Sequence, residues 1–122
     1  MREMPDANGS GGGTAWLVRD GDVLATAELA TSWRARTRGL LGRESLDGAL
    51  LLRPCKQVHT FGMRFPIDVA FCTGDGVVLH VTSLNPWRMS RVVRKARFVV
   101  EAPAGAFERW SLRPLDVLEI KD

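Results

Sequence analysis

The stretch HTFGMRFPIDVAF, residues 59–71, decides how the chain is read. It sets one acid, Asp68, inside Ile67-Asp-Val-Ala-Phe71, a run that otherwise has the character of a buried strand. Strand side chains alternate, so Asp68, Ala70 and Cys72 point to one face while Ile67, Val69 and Phe71 point to the other. If both faces are covered, an ionised carboxylate needs a cation or several hydrogen-bond donors. The obvious cations are Arg38 and Arg43, which bracket the glycine turn upstream. Arginine meets carboxylate bidentately, and removing one partner of a buried pair costs about 3–5 kcal/mol. The leading expectation is therefore a structural lock on Asp68, with a ligand site made from the same groups as the competitor. Glu101 is a second acid that could compete for those arginines.

Outward from this strand the pattern stays β-rich. Trp16-Leu-Val-Arg and Asp22-Val-Leu-Ala flank Asp20-Gly21, a two-residue hairpin signal. Thr31 reads as the N-cap of a short helix ending near Gly42. Ala49–Leu52, Ile67–Thr73, Val77–Thr82, Arg97–Ala102 and Asp116–Ile120 read as further strands, and Gly74-Asp-Gly76 as a three-residue loop. Pro103 and Gly105 end the Arg97 strand, and Ala106–Trp110 is consistent with one helical turn. The predicted class is mainly β: a single-domain β-sandwich or jelly-roll-like barrel with one short helix after the first strands. Residues 1–14 are expected to be a flexible tail, and residues 15–122 one β-rich domain.

Composition supports a globular chain, with 45% hydrophobic and 25% charged residues among 122. The formal net charge is +3, and of 17 basic residues only Lys56, Lys95 and Lys121 are lysines. No apolar run approaches the roughly 18 residues that span a bilayer, and the N-terminus lacks an apolar signal region, so the expected location is cytoplasmic. Two cysteines, Cys55 and Cys72, make no disulfide framework and read as small buried residues.

Three blocks resemble the bacterial and archaeal family called domain of unknown function 192 (UPF0127). They are Thr31–Arg43 with its Gly-Leu-Leu-Gly-Arg turn, Thr60-Phe-Gly-Met63 followed by Pro66-Ile-Asp68 and Phe71, and Val99-Val-Glu-Ala-Pro-Ala-Gly105. Leu41 stands where methionine is commoner in that family, and Leu115-Asp116 where it has Gly-Asp. The likeness runs from about Leu24 to Ile120. It implies a compact β-rich domain resembling a jelly-roll sandwich and no established reaction; several members of the family carry export leaders.

Candidate chemistry gathers around the same blocks. The candidate ligand-binding set is Arg38, Arg43, His59, Thr60, Met63, Asp68 and Glu101. Arg38 and Arg43 hold an anionic group or Asp68 itself, His59 and Thr60 line the rim, and Met63 and Phe61 form the apolar wall. The expected function is a small binding or accessory module, its partner an anionic small molecule or an acidic protein surface. The alternative is a hydrolase with Asp68 or Glu101 as base and His59 as proton carrier, which requires these groups within about 3 Å. A second alternative is weak nucleic-acid binding through residues 88–97, where Arg88, Arg91, Arg94, Lys95 and Arg97 follow Trp87; acids elsewhere nearly balance this charge. No cofactor is expected. The histidine and cysteine spacings do not repeat zinc-site pairings, and no nucleophile elbow, Walker loop or dinucleotide fingerprint is present.

Overall fold

The computed structural model describes residues 13–31 and 45–122. Among the described residues seven strands form one sheet: β1 (Thr14–Arg19), β2 (Asp22–Ala30), β3 (Ala49–Leu52), β4 (Ile67–Cys72), β5 (Val78–Leu84), β6 (Phe98–Pro103) and β7 (Glu119–Lys121). Their spatial order is β5-β4-β6-β3-β2-β1-β7. β2 and β3 run parallel, and the other neighbouring pairs are antiparallel. One short helix among the described residues, α1 (Ala106–Trp110), follows β6. The helix predicted near residues 31–42 lies, apart from Thr31, outside the described residues.

Local chemistry accounts for the turns. Asp20 and Gly21 both have positive φ, 53° and 83°, and Arg19 pairs with Asp22 across them. Two left-handed residues twist the backbone in the sense that antiparallel strands need. In the loop after β4, the Thr73 hydroxyl accepts from Val77 N–H at 3.1 Å, while Thr73 N–H donates to Val77 C=O at 2.9 Å.

The mainly β expectation is met, but the sheet is open, so barrel describes it only loosely. The start of β5 meets the segment leading into β7 where residues 76–78 bond to residues 115–118, around the isolated bridge Val77–Val117. There Leu118 N–H donates to Gly76 C=O at 2.8 Å, and a Cβ on Gly76 would lie 2.1 Å from the Leu118 carbonyl oxygen. Gly76 at φ 91° is thus required both by backbone conformation and by space.

The alternation in β4 sorts its residues between two cores. Ala70 and Cys72 pack with Leu17, Leu51, Phe98 and Val100, against Phe107 and Leu112. Ile67, Val69 and Phe71 pack with Leu50, Leu52 and Val99 on the opposite face. That second face is covered by loops: Val58 and Met63 from one, Val93 and Ala96 from another. All six residues of β4 are buried, so Asp68 does lie in a strand covered on both sides.

Candidate functional site

Asp68 is 4% exposed, and its carboxylate accepts three hydrogen bonds from two other elements. The Ser83 hydroxyl donates to Oδ1 at 2.6 Å from β5, the adjacent strand. The backbone N–H groups of Gly105 and Phe107 donate to Oδ2 at 3.0 and 3.1 Å. Gly105 is the N-cap residue of α1 and supplies no side-chain cap of its own. Asp68 fills that role from a different strand, placing negative charge where the first amides of the helix are unpaired. Gly105 reaches this position with φ 96°, a conformation glycine adopts without strain. Among the described residues the partners of Asp68 are a hydroxyl and two backbone amides; Arg38 and Arg43, the cations expected beside it, lie outside the described residues.

Glu101 is separated from Asp68 by the sheet itself. Asp68 pairs with Ala102 across β4 and β6, so Glu101 projects to the other face beside Val69 and Leu50. It is 4% exposed, and among the described residues no side chain donates to its carboxylate. Burial pushes its carboxyl up to about 8.

Thr60 is not a rim residue. It is fully buried and organises the turn at residues 85–88. Its hydroxyl donates to Asn85 C=O at 2.6 Å and accepts from Arg88 N–H at 2.8 Å. Its N–H donates to Arg88 C=O at 2.8 Å, and its C=O accepts from Trp87 N–H at 2.9 Å. These bonds hold Trp87 at φ 66°, where a bulky side chain is rarely found. Thr60→Val keeps the shape and deletes the hydroxyl, leaving two backbone groups unmatched. We expect a loss of about 1–3 kcal/mol in chemical denaturation, with faster amide exchange confined to residues 85–89.

Met63 is buried in the second core, whereas His59 and Phe61 are exposed. His59 stacks on Phe61 at 4.9 Å between centroids, and Phe61 on Trp87 at 6.2 Å. Trp87 is 64% exposed and Met89 58%. The His59 ring does not meet either buried acid: its Nδ1 accepts from Phe61 N–H at 3.2 Å. Of the seven expected residues, the five described ones, His59, Thr60, Met63, Asp68 and Glu101, are not gathered into one pocket, and Arg38 and Arg43 lie outside the described residues.

A different grouping emerges along two loops. Residues 56–60 run beside residues 87–93, joined by Val93 N–H to Lys56 C=O (2.9 Å), Ser90 N–H to Val58 C=O (2.9 Å) and the His59–Met89 bridge. The apolar Val58 and Val93 face the core, which turns Lys56, Arg88, Arg91, Arg94 and Lys95 to solvent. No Asp or Glu occurs between residues 48 and 67 or between 76 and 100. The register shift between Phe71 and Cys72 breaks the alternation of β5, so the adjacent residues Leu79 and His80 both line one cleft. That cleft, about 440 Å³, is completed by Arg91, Val92, Arg94 and Lys95. The aromatic stack lies beyond its Arg91 end in chain order.

An open, curled, mainly β sheet with one short helix is the class this geometry defines. The chain belongs to the DUF192 family, "Uncharacterized ACR, COG1430", which matches residues 16–120. It is 40% identical over 108 residues to UPF0127 protein PF1050 of Pyrococcus furiosus, covering 84% of this chain and 93% of that relative. Two solved structures share the fold. A Sinorhizobium meliloti protein, provisionally titled a transcription regulator, superposes with TM-score 0.74 at 24% identity, over 88% of this chain and 92% of its own. A protein of unknown function from Novosphingobium aromaticivorans gives 0.72 at 18%, over 88% and 84%. Among the described residues, no helix is long and apolar enough to cross a membrane.

Proposed function

We propose that this protein is a binding module for an anionic ligand, received by the basic ribbon formed by residues 56–61 and 87–95. The observation that carries this reading is charge segregation. The segments 53–66 and 85–97 hold eight of the 17 basic residues and none of the 14 acidic ones, leaving nine basic against fourteen acidic residues elsewhere. A net charge of +3 thus conceals a strongly positive surface and a negative remainder, an arrangement that concentrates anions at one face. Arg91, Arg94 and Lys95 supply guanidinium and ammonium donors around the cleft, which His80 and Leu79 also line.

A hydrolytic reading is less well supported, because Asp68 is occupied as a helix cap and Glu101 projects from the opposite face. The test is titration of the full chain with inorganic polyphosphate by calorimetry. We expect binding that weakens steeply with salt, and a loss of tenfold or more in Arg91→Gln/Arg94→Gln/Lys95→Gln, whose thermal unfolding stays near that of the parent. Equal affinity of the triple variant and the parent would remove the ribbon as the site.

A further inference from the structure

We infer that the anionic ligand is single-stranded nucleic acid, whose bases stack on the Phe61–Trp87 platform while its phosphates follow Arg88, Arg91, Arg94 and Lys95. The inference rests on the basic-ribbon reading and adds its ligand class. Three independent features point to unpaired bases rather than to a bare polyanion.

First, the ribbon carries a graded aromatic stack, His59 on Phe61 and Phe61 toward Trp87, at 4.9 and 6.2 Å. Trp87 at 64% exposure leaves its outer surface uncovered. A π-face beside cations accepts any base, since every base offers a flat face. Second, the exposure of Trp87 is built rather than incidental. Its left-handed backbone, φ 66°, is held by the buried Thr60, which bonds to Asn85, Trp87 and Arg88. A strained bulky residue persists where surrounding contacts over-determine it, and such residues cluster at ligand-facing sites. Third, the order along the chain matches the ligand. Trp87 is followed directly by Arg88, then by Arg91, Arg94 and Lys95, so platform and cations lie within at most about 28 Å of chain. Acid-free surface on both paired segments removes the repulsion that a phosphate backbone would otherwise meet.

The three features make different demands on the ligand. Polyphosphate or an acidic peptide would engage the cations and leave the stack unused. Duplex nucleic acid buries its bases in its own stack and offers the platform only groove edges. Single strands use both halves of the ribbon.

The experiment measures fluorescence anisotropy of the full chain with a labelled oligo-uridine of about twelve nucleotides, with the same sequence annealed into a duplex, and competes each with inorganic polyphosphate. We expect the single strand to bind more tightly than the duplex. Trp87→Ala should weaken oligo-uridine binding roughly tenfold, a clearly larger loss than it causes for polyphosphate. Trp87→Phe, which keeps a stacking face, should restore most of the loss. Arg91→Gln/Arg94→Gln/Lys95→Gln should weaken both ligands and flatten the salt dependence. Circular dichroism of each variant guards against loss of the fold, and the preference of the unsubstituted chain for the single strand over the duplex retains the test if the Ala variant unfolds. Polyphosphate binding without preference for single strands, or an unchanged oligo-uridine affinity in both Trp87 variants, overturns this inference and leaves the anionic reading standing. Failure of polyphosphate to bind at low salt overturns both.

Discussion

Asp68→Ala should cost about 3 kcal/mol or more and lower the melting temperature by roughly 10–20 °C. The substitution strips three donors of their acceptor: the Ser83 hydroxyl and the Gly105 and Phe107 amides. The serine is exposed and can turn to water. The two amides sit at the start of α1, and Phe107 is only 7% exposed, so its N–H would stay buried and unpaired. An orphaned buried donor costs about 1–3 kcal/mol, and loss of a helix cap typically about 1 kcal/mol. Asp68→Asn should fall between parent and Ala, since the amide can still accept through one oxygen. Ser83→Ala should cost less than either. Equilibrium denaturation of the three variants orders them; an Asp68→Ala protein as stable as the parent would show that the carboxylate does not hold α1 to the sheet.

The second large effect concerns Glu101 and has an unusual sign. Burial raises its folded-state value to about 8, against an ordinary 4.5. Between those values the folded chain keeps a proton that the unfolded chain has released. Stability from this group is therefore fully present below about 4.5 and lost as pH rises through about 8. The shift corresponds to a loss of several kcal/mol across that window, at about 1.4 kcal/mol per pH unit. Glu101→Gln is neutral throughout and should flatten the profile, gaining about 2–4 kcal/mol at pH 9 with little change at pH 4. Urea melts of the two proteins at pH 4, 7 and 9 decide it. Parallel pH profiles would mean that Glu101 is ionised in the folded protein.

The fold was largely legible from short-range chemistry. Asp20-Gly21 marks its hairpin, Gly74-Asp-Gly76 its loop, and the strand alternation around Asp68 assigns each β4 side chain to the correct core. Neighbour relations were not legible, because β3 pairs in parallel with β2 and antiparallel with β6, partners set by long-range packing. The need of Asp68 for partners followed from burial, yet their identity did not. Backbone amides carry no sequence letter, and Gly105 and Phe107 lie 37 and 39 residues away. Thr60 looked like a pocket lining because its position beside His59 gives no hint of the hub it forms with Asn85 and Arg88. The basic ribbon had a readable signal that net charge obscured: the spacing of acids along the chain, not their number.

Cys72 illustrates the same division between local and long-range information. Its small apolar character predicts burial, and it sits at 0% exposure in the first core, where desolvation pushes the thiol up to about 12. A thiol so disfavoured as thiolate is a packing residue and a poor nucleophile.

Backbone ¹⁵N chemical shifts of the full chain, followed during titration with polyphosphate, test the assignment of the ligand face most directly. We expect the largest changes at residues 56–61 and 87–95, with the amides of Ser83, Gly105 and Phe107 around Asp68 left in place. Changes centred instead on those three amides would return Asp68 to the role of a ligand-site residue and contradict the account given for the ribbon.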